Sequence, residues 1–273
     1  MHKVAEIYNA NPEYEWDRLI RDPYHTIEFL VNMHHLQNNL PSGGLVLDAG
    51  GGPGRYAIEL CRLGYDVILL DISSGCIEFA EKKLREESTD VQERLREFVV
   101  GDVTNLSRFR NSMFDAVLCL DPLSCLPEEA DRKKAMAELV RVAKLGSVIA
   151  VSVRGYLGAL RTILRVAPHE LVDGTLEAFR SSGNCMTGEA VCHFFRATEI
   201  RELAEGYGLE TVLMAGCEGL SAGIPEATNA IAEDKAKWQQ WVELVIETST
   251  EPAIVDTSGH ILYLGRKPKA ITT

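Results

Sequence analysis

The chain has 273 residues, 46% of them hydrophobic and 25% charged, which is typical of a globular protein with a buried core. Its formal net charge of −12, without any Lys/Arg-rich block, disfavours nucleic acid and anionic membranes as partners. There is no recognisable leader or long apolar run, and the seven cysteines form no C-x-x-C pair. We therefore expect a cytoplasmic protein with reduced thiols.

Apolar strand-like runs alternate with amphipathic helical runs along the chain, which is typical of a parallel sheet with helices on both faces. The predicted strands are residues 45–49, 67–71, 98–102, 114–120, 148–153, 211–214 and 260–264. The predicted helices are residues 55–63, a helix capped by Ser73, one that opens at 127–129, 199–205 and about 230–247. The last two strands can pair as an antiparallel edge.

The same pattern divides the chain into four segments. Residues 1–40 form an N-terminal helical cap, and residues 41–153 form the core of the sheet. Residues 154–197 break the alternation and form an insertion rich in Gly, Phe and His. Residues 198–273 return to the pattern and complete the sheet.

A glycine-rich turn at residues 48–54, with the sequence Asp-Ala-Gly-Gly-Gly-Pro-Gly, joins the first strand to its helix. Glycines let the backbone approach a ligand, and the helix N-terminus offers free N–H groups. A dinucleotide-binding fingerprint needs a third glycine where this chain has Arg55, and a phosphate-binding loop needs a G-K-[ST] that does not follow. The remaining pattern is acid-x-G-x-G-x-G.

This turn resembles motif I of class I S-adenosylmethionine-dependent methyltransferases, of the small-molecule type that includes ubiquinone and menaquinone C-methyltransferases. The resemblance covers about residues 40–153 and implies an α/β, Rossmann-like, doubly wound fold: a mainly parallel seven-stranded sheet with an antiparallel edge strand and a helical lid insertion. It also implies S-adenosyl-L-methionine as the cofactor. The residues that it places at this donor are Asp48, Ala49, Gly50, Gly52, Gly54, Asp71, Ile72, Asp102, Val103 and Leu120.

The resemblance gives the acids distinct roles. It places Asp71 on the ribose hydroxyls and Asp102 on the adenine amino group, while the end of the 114–120 strand passes the methionine moiety. Each acid has a simpler alternative, because Asp71 can cap a helix beside Ser73 and Asp102 can be a turn residue. Acids at the ends of successive parallel strands nevertheless favour a ligand site, since ligands bind at that edge of open α/β sheets.

The methyl group on a sulfonium is already activated, so a general base is needed only if the acceptor must lose a proton. The candidate catalytic residues are Asp121, Tyr156 and His193, with His169 as a further acid/base candidate. Asp121 either faces the methionine end of the donor or caps a turn before Pro122. The sequence after it lacks the second proline and the aromatic residue of enzymes that methylate base amines.

The acceptor is expected to be a small molecule that the sequence does not identify. We predict that residues 154–197 form a lid or acceptor pocket, because an insertion after the fifth strand lies over the same face as the donor. The N-terminal segment, with Tyr8, Tyr14, Trp16 and Arg18, is also expected to fold over this mouth. Nothing in the sequence indicates an oligomeric state.

Two other kinds of site were considered. Cys185, Cys192 and His193 offer only three zinc ligands where a structural site needs four, so we predict no metal. Residues 219–223 match the G-x-S-x-G elbow of serine hydrolases, with Ser221 as nucleophile.

The hydrolase reading continues with Asp234 or Asp256, followed by His260, in the order that hydrolases use. Residues 217–218 separate the preceding strand from the serine, and Pro225 disturbs the helix that should follow, which disfavours this interpretation. A non-catalytic protein that binds S-adenosylmethionine would keep the same glycines and acids, so that alternative stays open.

Overall fold

The computed structural model describes residues 2–172 and 174–269, and its strands form one large sheet and one small hairpin. The strands are β1 (Leu45–Ala49), β2 (Asp66–Asp71), β3 (Leu95–Val100), β4 (Phe114–Leu120), β5 (Ala143–Arg154), β6 (Asn184–Thr187), β7 (Ala190–His193), β8 (Glu210–Gly216) and β9 (His260–Arg266). The α-helices are α1 (His2–Ala10), α2 (Pro12–Arg18), α3 (Pro23–Asn39), α4 (Arg55–Arg62), α5 (Ser74–Leu84), α6 (Thr89–Gln92), α7 (Glu129–Val142), α8 (Tyr156–Val166), α9 (Thr175–Ser182), α10 (Ala197–Gly206), α11 (Pro225–Ile231), α12 (Lys235–Thr248) and α13 (Pro252–Thr257). None of these helices is long and apolar enough to cross a membrane.

The large sheet has seven strands in the order β3-β2-β1-β4-β5-β9-β8. Strands β1 to β5 are parallel, whereas β9 runs antiparallel to both of its neighbours, β5 and β8. The predicted doubly wound, mainly parallel sheet is confirmed, and its antiparallel strand lies one position in from the edge strand β8. The strand order reverses between β1 and β4, which is where open α/β sheets bind their ligands.

Helices cover both faces of the sheet because its central strands are apolar on both sides. Val46 of β1 packs in the same cluster as Leu36 of α3 on one face. Leu47, the next residue, packs with Met136 and Leu139 of α7 on the other face. This alternation is the two-residue period of a strand, and it explains why β1 is a continuous hydrophobic run up to Asp48.

The structure corrects one predicted helix. Residues 230–247 do not form a single helix, since α11 ends at Ile231 and α12 begins at Lys235. The Asp234 side chain accepts hydrogen bonds from the N–H groups of Ala236 and Lys237, at 3.0 and 3.2 Å, and thereby caps α12. Apolar periodicity continues across this break and so does not reveal it.

Two strands and the insertion also differ from the predicted pattern. β3 spans Leu95–Val100 instead of residues 98–102, so Asp102 follows the strand, and β5 begins at Ala143 instead of residue 148. The early part of β5 contains polar residues and Gly146, so the apolar run alone underestimates its length. Within residues 154–197, β6 and β7 form an antiparallel hairpin that was not predicted.

Candidate functional site

A cavity opens at the carboxyl ends of the central strands. It encloses about 1030 Å³ of space between its lining residues, part of it open to solvent. Its walls come from the glycine turn, from the ends of β2 and β4, from residues 101–103 and from the N-terminal helices. Of the predicted donor-contacting residues, those that line the cavity are Asp48, Gly50, Gly52, Asp71, Ile72, Asp102, Val103 and Leu120.

The glycines of the turn are required for different reasons. Gly50, Gly52 and Gly54 have φ angles of 80°, 56° and 83°, which side chains disfavour. A Cβ at Gly50 would lie 2.2 Å from Cγ of Pro122, whereas one at Gly52 would meet nothing within 4 Å. Gly52 therefore presents open backbone to the cavity.

Ala49 and Gly54 do not line the cavity and support it instead. Ala49 is fully buried in β1. A Cβ at Gly54 would come within 3.0 Å of Leu69 and 3.1 Å of Ala80, so this glycine allows α4 to begin close to the sheet and to α5.

Asp71 organises the turn from the end of β2. One carboxylate oxygen accepts a hydrogen bond from the Gly52 N–H and the other from the Ser73 N–H, both at 2.8 Å. Burial raises the pKa of Asp71, and these N–H groups offset part of that effect. The cap of α5 is Ser73, whose hydroxyl accepts from the Cys76 N–H at 3.0 Å, so Asp71 is not the helix cap.

Asp102 holds the turn that follows β3. Its carboxylate accepts a hydrogen bond from the Thr104 N–H at 2.8 Å, which is the geometry of an Asx turn. This is the simpler role considered for Asp102, and it leaves acceptor capacity on a side chain that lines the cavity.

Asp48 is the most unusual group in the cavity wall. It is fully buried, and neither carboxylate oxygen has a hydrogen bond of normal geometry within the described parts of the chain; only the Ala57 N–H, outside that geometry, acts against the effect of burial on the pKa of Asp48. Burial, together with the nearby negative charge of Asp71, raises its pKa to about 7. A buried carboxylate without partners is costly, so this position fits a ligand that brings a hydrogen-bond donor or a positive charge.

The N-terminal helices cover the cavity, as predicted for this segment. Tyr8, Glu15 and Arg18 line its wall, together with Val4 and Leu19. Tyr14 and Trp16, which were also expected at this mouth, are not among the residues that line the cavity.

Two contacts hold this cover in place. Nε of Arg55 donates to the Trp16 carbonyl oxygen at 2.7 Å, and its guanidinium lies 4.1 Å above the indole ring. The Asn9 side-chain oxygen accepts from Ser73 Oγ and the Gly75 N–H, at 2.7 and 2.8 Å. The cover is thus tied to α4 and α5, beside the two strand ends that carry the acids.

Asp121 enters the cavity from the end of β4 in a strained conformation. Its φ angle is 85°, a left-handed value that non-glycine residues rarely adopt and that often occurs at functional sites. Arg154 donates to both carboxylate oxygens, with the shortest distance 2.7 Å. Burial alone would raise the pKa of Asp121, but the Arg154 charge and the hydrogen bonds lower it, so the carboxylate is ionised.

A buried ion-pair chain connects α2 and α3 with His260 at the start of β9. Arg18 donates to Glu28 at 3.1 Å, and His260 Nδ1 contacts Glu218 at 2.6 Å and Glu28 at 3.6 Å. Against the effect of burial, these carboxylates raise the pKa of His260 to about 9, and His260 lowers that of Glu218 to about 2. Glu28, Glu218 and His260 have potential metal-ligand atoms within 4.8 Å of one another. Their charges are already balanced by one another and by Arg18, so the expected absence of a metal stays a prediction.

The structure does not bring the other catalytic candidates to the cavity wall. His193 is buried, with its ring nitrogens 2.7 Å from Asn184 Oδ1 and 2.6 Å from Glu199 Oε1. Tyr156 is buried against Phe179, and the remaining candidate, His169, is exposed. Asp121 is the one candidate catalytic residue that lines the cavity.

The two rival sites gain no support from the geometry. Ser221 lies on a 3-10 helix, fully buried, and its hydroxyl accepts a hydrogen bond from Trp241 Nε1 at 2.8 Å. His260 is engaged by Glu218 instead. Cys185 and Cys192 face each other across the β6–β7 hairpin, but both nitrogens of His193 are already used.

Glu15 was not singled out in the sequence although it lines the cavity. No motif or spacing distinguishes it from Glu13, its exposed neighbour on the same short helix. Only the fold of the N-terminal helices over the sheet edge brings it to the site.

Known proteins with sequences similar to this chain are methyltransferases, which agrees with a donor site at this cavity. Residues 47–151 match the family model described as a methyltransferase domain. Glycine/sarcosine N-methyltransferase of Aphanothece halophytica is 32% identical over 112 residues, 41% of this chain and 40% of the relative. The tRNA (carboxymethyluridine(34)-5-O)-methyltransferase of Arabidopsis thaliana is 35% identical over 119 residues, 42% of this chain and 25% of the relative. Demethylmenaquinone methyltransferase of Renibacterium salmoninarum is 32% identical over 123 residues, 44% of this chain and 46% of the relative. The chain thus spans less than half the length of these relatives.

Solved structures share the fold over most of the chain. A S-adenosylmethionine-dependent methyltransferase from Methanosarcina mazei has a TM-score of 0.61 at 21% identity, covering 86% of this chain and 97% of that one. The [4+2]-cyclase SpnF has a TM-score of 0.57 at 18% identity, covering 89% of this chain and 81% of that one. Together, these comparisons confirm the predicted resemblance to class I S-adenosylmethionine-dependent methyltransferases and the cofactor that it implies.

Proposed function

We propose that this chain, whose residues 47–151 match the family model of a methyltransferase domain, transfers a methyl group from S-adenosylmethionine to a small-molecule acceptor. The observation that carries the proposal is the buried carboxylate of Asp48, which has no hydrogen bond of normal geometry among the described residues, in a cavity that is also lined by Gly52 at the switch point of the sheet. S-adenosylmethionine carries an ammonium group that can form an ion pair and a hydrogen bond with such a carboxylate. The relatives act on varied substrates, so the acceptor does not follow from them.

The residues of the cavity divide between the two ends of this donor. Asp71 and Asp102 are assigned to the ribose hydroxyls and the adenine amino group, as the resemblance implies. Asp48 is assigned to the methionine ammonium group, because an ion pair there would offset its burial cost. Leu120 and Asp121, at the end of β4, would lie beside the methionine moiety.

When bound, the donor supplies an activated methyl group on its sulfonium, and the protein contributes alignment and the exclusion of water. The N-terminal helices are suited to exclude water because they lie across the cavity. Asp121, held by Arg154, is a rigid group against which an acceptor can be oriented. The net charge of −12 disfavours a nucleic-acid acceptor, although one relative acts on tRNA.

Residues 154–197 remain a proposed lid. No residue of this segment is among those that line the cavity within the described chain. Its connection to the site is indirect, because Nη1 of Arg154 donates to Cys192 Sγ at 3.2 Å while the same guanidinium holds Asp121. With no membrane-spanning helix among those described, we also propose a cytoplasmic location.

Donor binding is the first test. S-adenosylmethionine and S-adenosylhomocysteine should raise the melting temperature, because a ligand that binds the native state stabilises it, whereas NAD and ATP should not. Asp71→Ala should weaken S-adenosylhomocysteine binding about ten- to a hundredfold, since hydrogen bonds to a carboxylate contribute roughly 1.5–3 kcal/mol. Calorimetric titration measures this loss.

The control for this test lies on the same strand. Asp66, at the opposite end of β2, pairs with Arg94 and Arg96 and is remote from the cavity, so Asp66→Ala should keep wild-type affinity. Stabilisation by NAD in place of S-adenosylmethionine, or wild-type affinity in Asp71→Ala, would overturn the donor assignment.

A non-catalytic S-adenosylmethionine-binding protein is the alternative, and the shared fold of a [4+2]-cyclase shows that this architecture is not confined to methyltransferases. Release of S-adenosylhomocysteine when the protein is incubated with S-adenosylmethionine and a metabolite pool separates the two. Tight donor binding without any turnover would favour the alternative.

A further inference from the structure

The wall of the cavity carries more acid than base. Five carboxyl groups line it, those of Glu15, Asp48, Asp71, Asp102 and Asp121. Two guanidinium groups line it, those of Arg18 and Arg55. Such a surface attracts cations and repels anions, most strongly in a cavity that is partly closed to solvent.

Both of these arginines are already engaged within the protein. Arg18 is held by Glu28 at 3.1 Å and lies 3.4 Å from Glu15, while Arg55 donates to the carbonyl oxygen of Trp16. Arg154, which is not among the lining residues, donates hydrogen bonds to both carboxylate oxygens of Asp121. An acceptor with a carboxylate or phosphate would therefore find no unengaged cation among these groups.

The acids differ in how free they are to meet an acceptor. Asp71 accepts backbone hydrogen bonds at the donor turn, and Asp121 is fixed by Arg154. Asp48 and Asp102 lie at the turns assigned to the donor. Glu15 lies on α2, in the part of the wall that the N-terminal helices supply, and its one ion pair within the described chain is the long contact to Nε of Arg18.

Burial raises the pKa of the Glu15 carboxyl, against the lowering effect of Arg18, so this carboxylate binds a proton more readily than one in water. Several charged or titratable groups face Glu15 from the surrounding elements. They are Tyr8 on α1, Arg18 on α2, Glu28 on α3, Cys76 on α5, Asp121 after β4 and Arg154 at the end of β5.

We propose that the acceptor is an amine that is protonated in solution, and that Glu15 is the catalytic base that removes its proton; this rests on the proposed methyl transfer. The ammonium form enters the acidic cavity and transfers one proton to the Glu15 carboxylate. The nitrogen lone pair then forms a bond to the methyl carbon as the carbon–sulfur bond breaks, and that electron pair stays on sulfur. The products are an N-methylated ammonium ion, S-adenosylhomocysteine and protonated Glu15, which returns its proton to solvent.

The acceptor class is tested by charge fractionation of a deproteinised cell extract. The extract is separated at pH 7 into pools retained on a cation exchanger, retained on an anion exchanger, or retained on neither. Each pool is incubated with the protein and methyl-labelled S-adenosylmethionine, and S-adenosylhomocysteine and labelled product are measured. We expect turnover with the cation-exchange pool.

Turnover confined to the anionic or the neutral pool would refute the amine while leaving methyl transfer intact. Absence of turnover with all three pools, from a protein that binds the donor, would contradict methyl transfer itself and the amine proposal with it. The two failures are therefore distinguishable.

The role of Glu15 is tested with the active pool. Glu15→Gln keeps the size and polarity of the side chain but cannot take a proton, so kcat should fall about a hundredfold or more. The rise of kcat with pH that reports deprotonation of Glu15 should disappear, while affinity for S-adenosylhomocysteine stays unchanged. Glu13→Gln, on the exposed side of the same helix, should keep the wild-type kcat and pH profile. A change in KM alone, or equal effects of both variants, would remove Glu15 as the base.

Discussion

Asp48 links the stability of the protein to its proposed donor. The pKa of Asp48 in the folded protein, about 7, lies above its usual value of 3.8 because the carboxyl is buried. Between about pH 4 and pH 7 the native state therefore holds a proton that the unfolded chain has lost. The contribution of Asp48 to the free energy of unfolding is therefore fully present below about pH 4 and is lost as the pH rises through about 7.

The Asn variant of this position should remove that pH dependence. In the ligand-free protein, Asp48→Asn should be more stable than wild type at pH 8, by at most about 4 kcal/mol, because no buried carboxylate ionises. The two proteins should approach each other at pH 4. Urea melts across this range measure the difference. Affinity for S-adenosylmethionine should fall in the same variant.

Asp90→Asn, at an exposed site, serves as the control and should follow the wild type at each pH. An unchanged pH slope in Asp48→Asn would show that Asp48 already has a partner in solution.

The sequence identified residues of the donor end better than those of the acceptor end. Asp48, Asp71 and Asp102 each lie near the end of a strand or just after it. Hydrophobic periodicity predicts the positions of strand ends well, so these three acids could be identified from the sequence. Glu15 reaches the cavity through packing of α2 against distant parts of the chain, a contact that no local pattern encodes. His193 was a candidate by residue type alone, and its surroundings give it hydrogen-bond partners outside the cavity wall.

At the scale of elements, α3 and the end of α12 are joined through a buried histidine. Nε2 of His35 lies 2.8 Å from Oγ of Ser249, and burial, with a smaller effect of His34, lowers the pKa of His35 to about 4. Between about pH 4 and pH 6.5, His35 is therefore neutral in the folded protein, whereas the same side chain binds a proton in the unfolded chain. Stability from this group is present above about pH 6.5 and is lost as the pH falls toward about 4.

His35→Gln should reduce the pH dependence of the free energy of unfolding between about pH 4 and pH 6.5. The wild type should lose up to about 3 kcal/mol from this group between pH 6.5 and pH 4, because protonation of the unfolded chain is favoured. The Gln variant has no proton to gain. Thermal melts in this range should show converging midpoints for the two proteins, whereas His34→Gln, at the exposed neighbour, should keep the wild-type slope. Parallel melting curves for wild type and His35→Gln would contradict the shift.

Most elements of the sheet were predictable because each is a short apolar run between turn residues. β1 and β4 have the predicted bounds. The errors occur where a polar side chain or a long-range pairing sets the boundary, as with Asp234 at the start of α12. Likewise, the first residues of β5 become strand through pairing with β4 and with the chain after β9, and not through their own hydrophobicity.

At the scale of the whole molecule, the N-terminal helices form part of the cavity wall, and we expect this cover to open when the donor exchanges. Asn9 is its clearest attachment, since its side chain bonds both Ser73 and the Gly75 N–H. Asn9→Ala should loosen the cover, because two hydrogen bonds of about 1 kcal/mol each are lost. We expect faster limited proteolysis near the N-terminus and donor affinity up to about tenfold weaker.

S-adenosylhomocysteine should protect the wild-type N-terminal segment from protease, because we expect the bound ligand to favour packing of the helices against the cavity. Asn38→Ala provides a matched control, because Asn38 is exposed on α3 and bonds only within its own helix among the described residues. Equal cleavage with and without ligand would show that the helices do not move during exchange.

The place of β9 in the sheet has a consequence for how the protein is made. β9 is the last strand in the described part of the chain, yet it lies between β5 and β8, and β8 pairs only with β9 in the described sheet. A nascent chain that has emerged as far as β8 therefore exposes one edge of β5 and leaves β8 without a partner. Exposed strand edges promote association between chains, so translation products that stop short of His260 should aggregate.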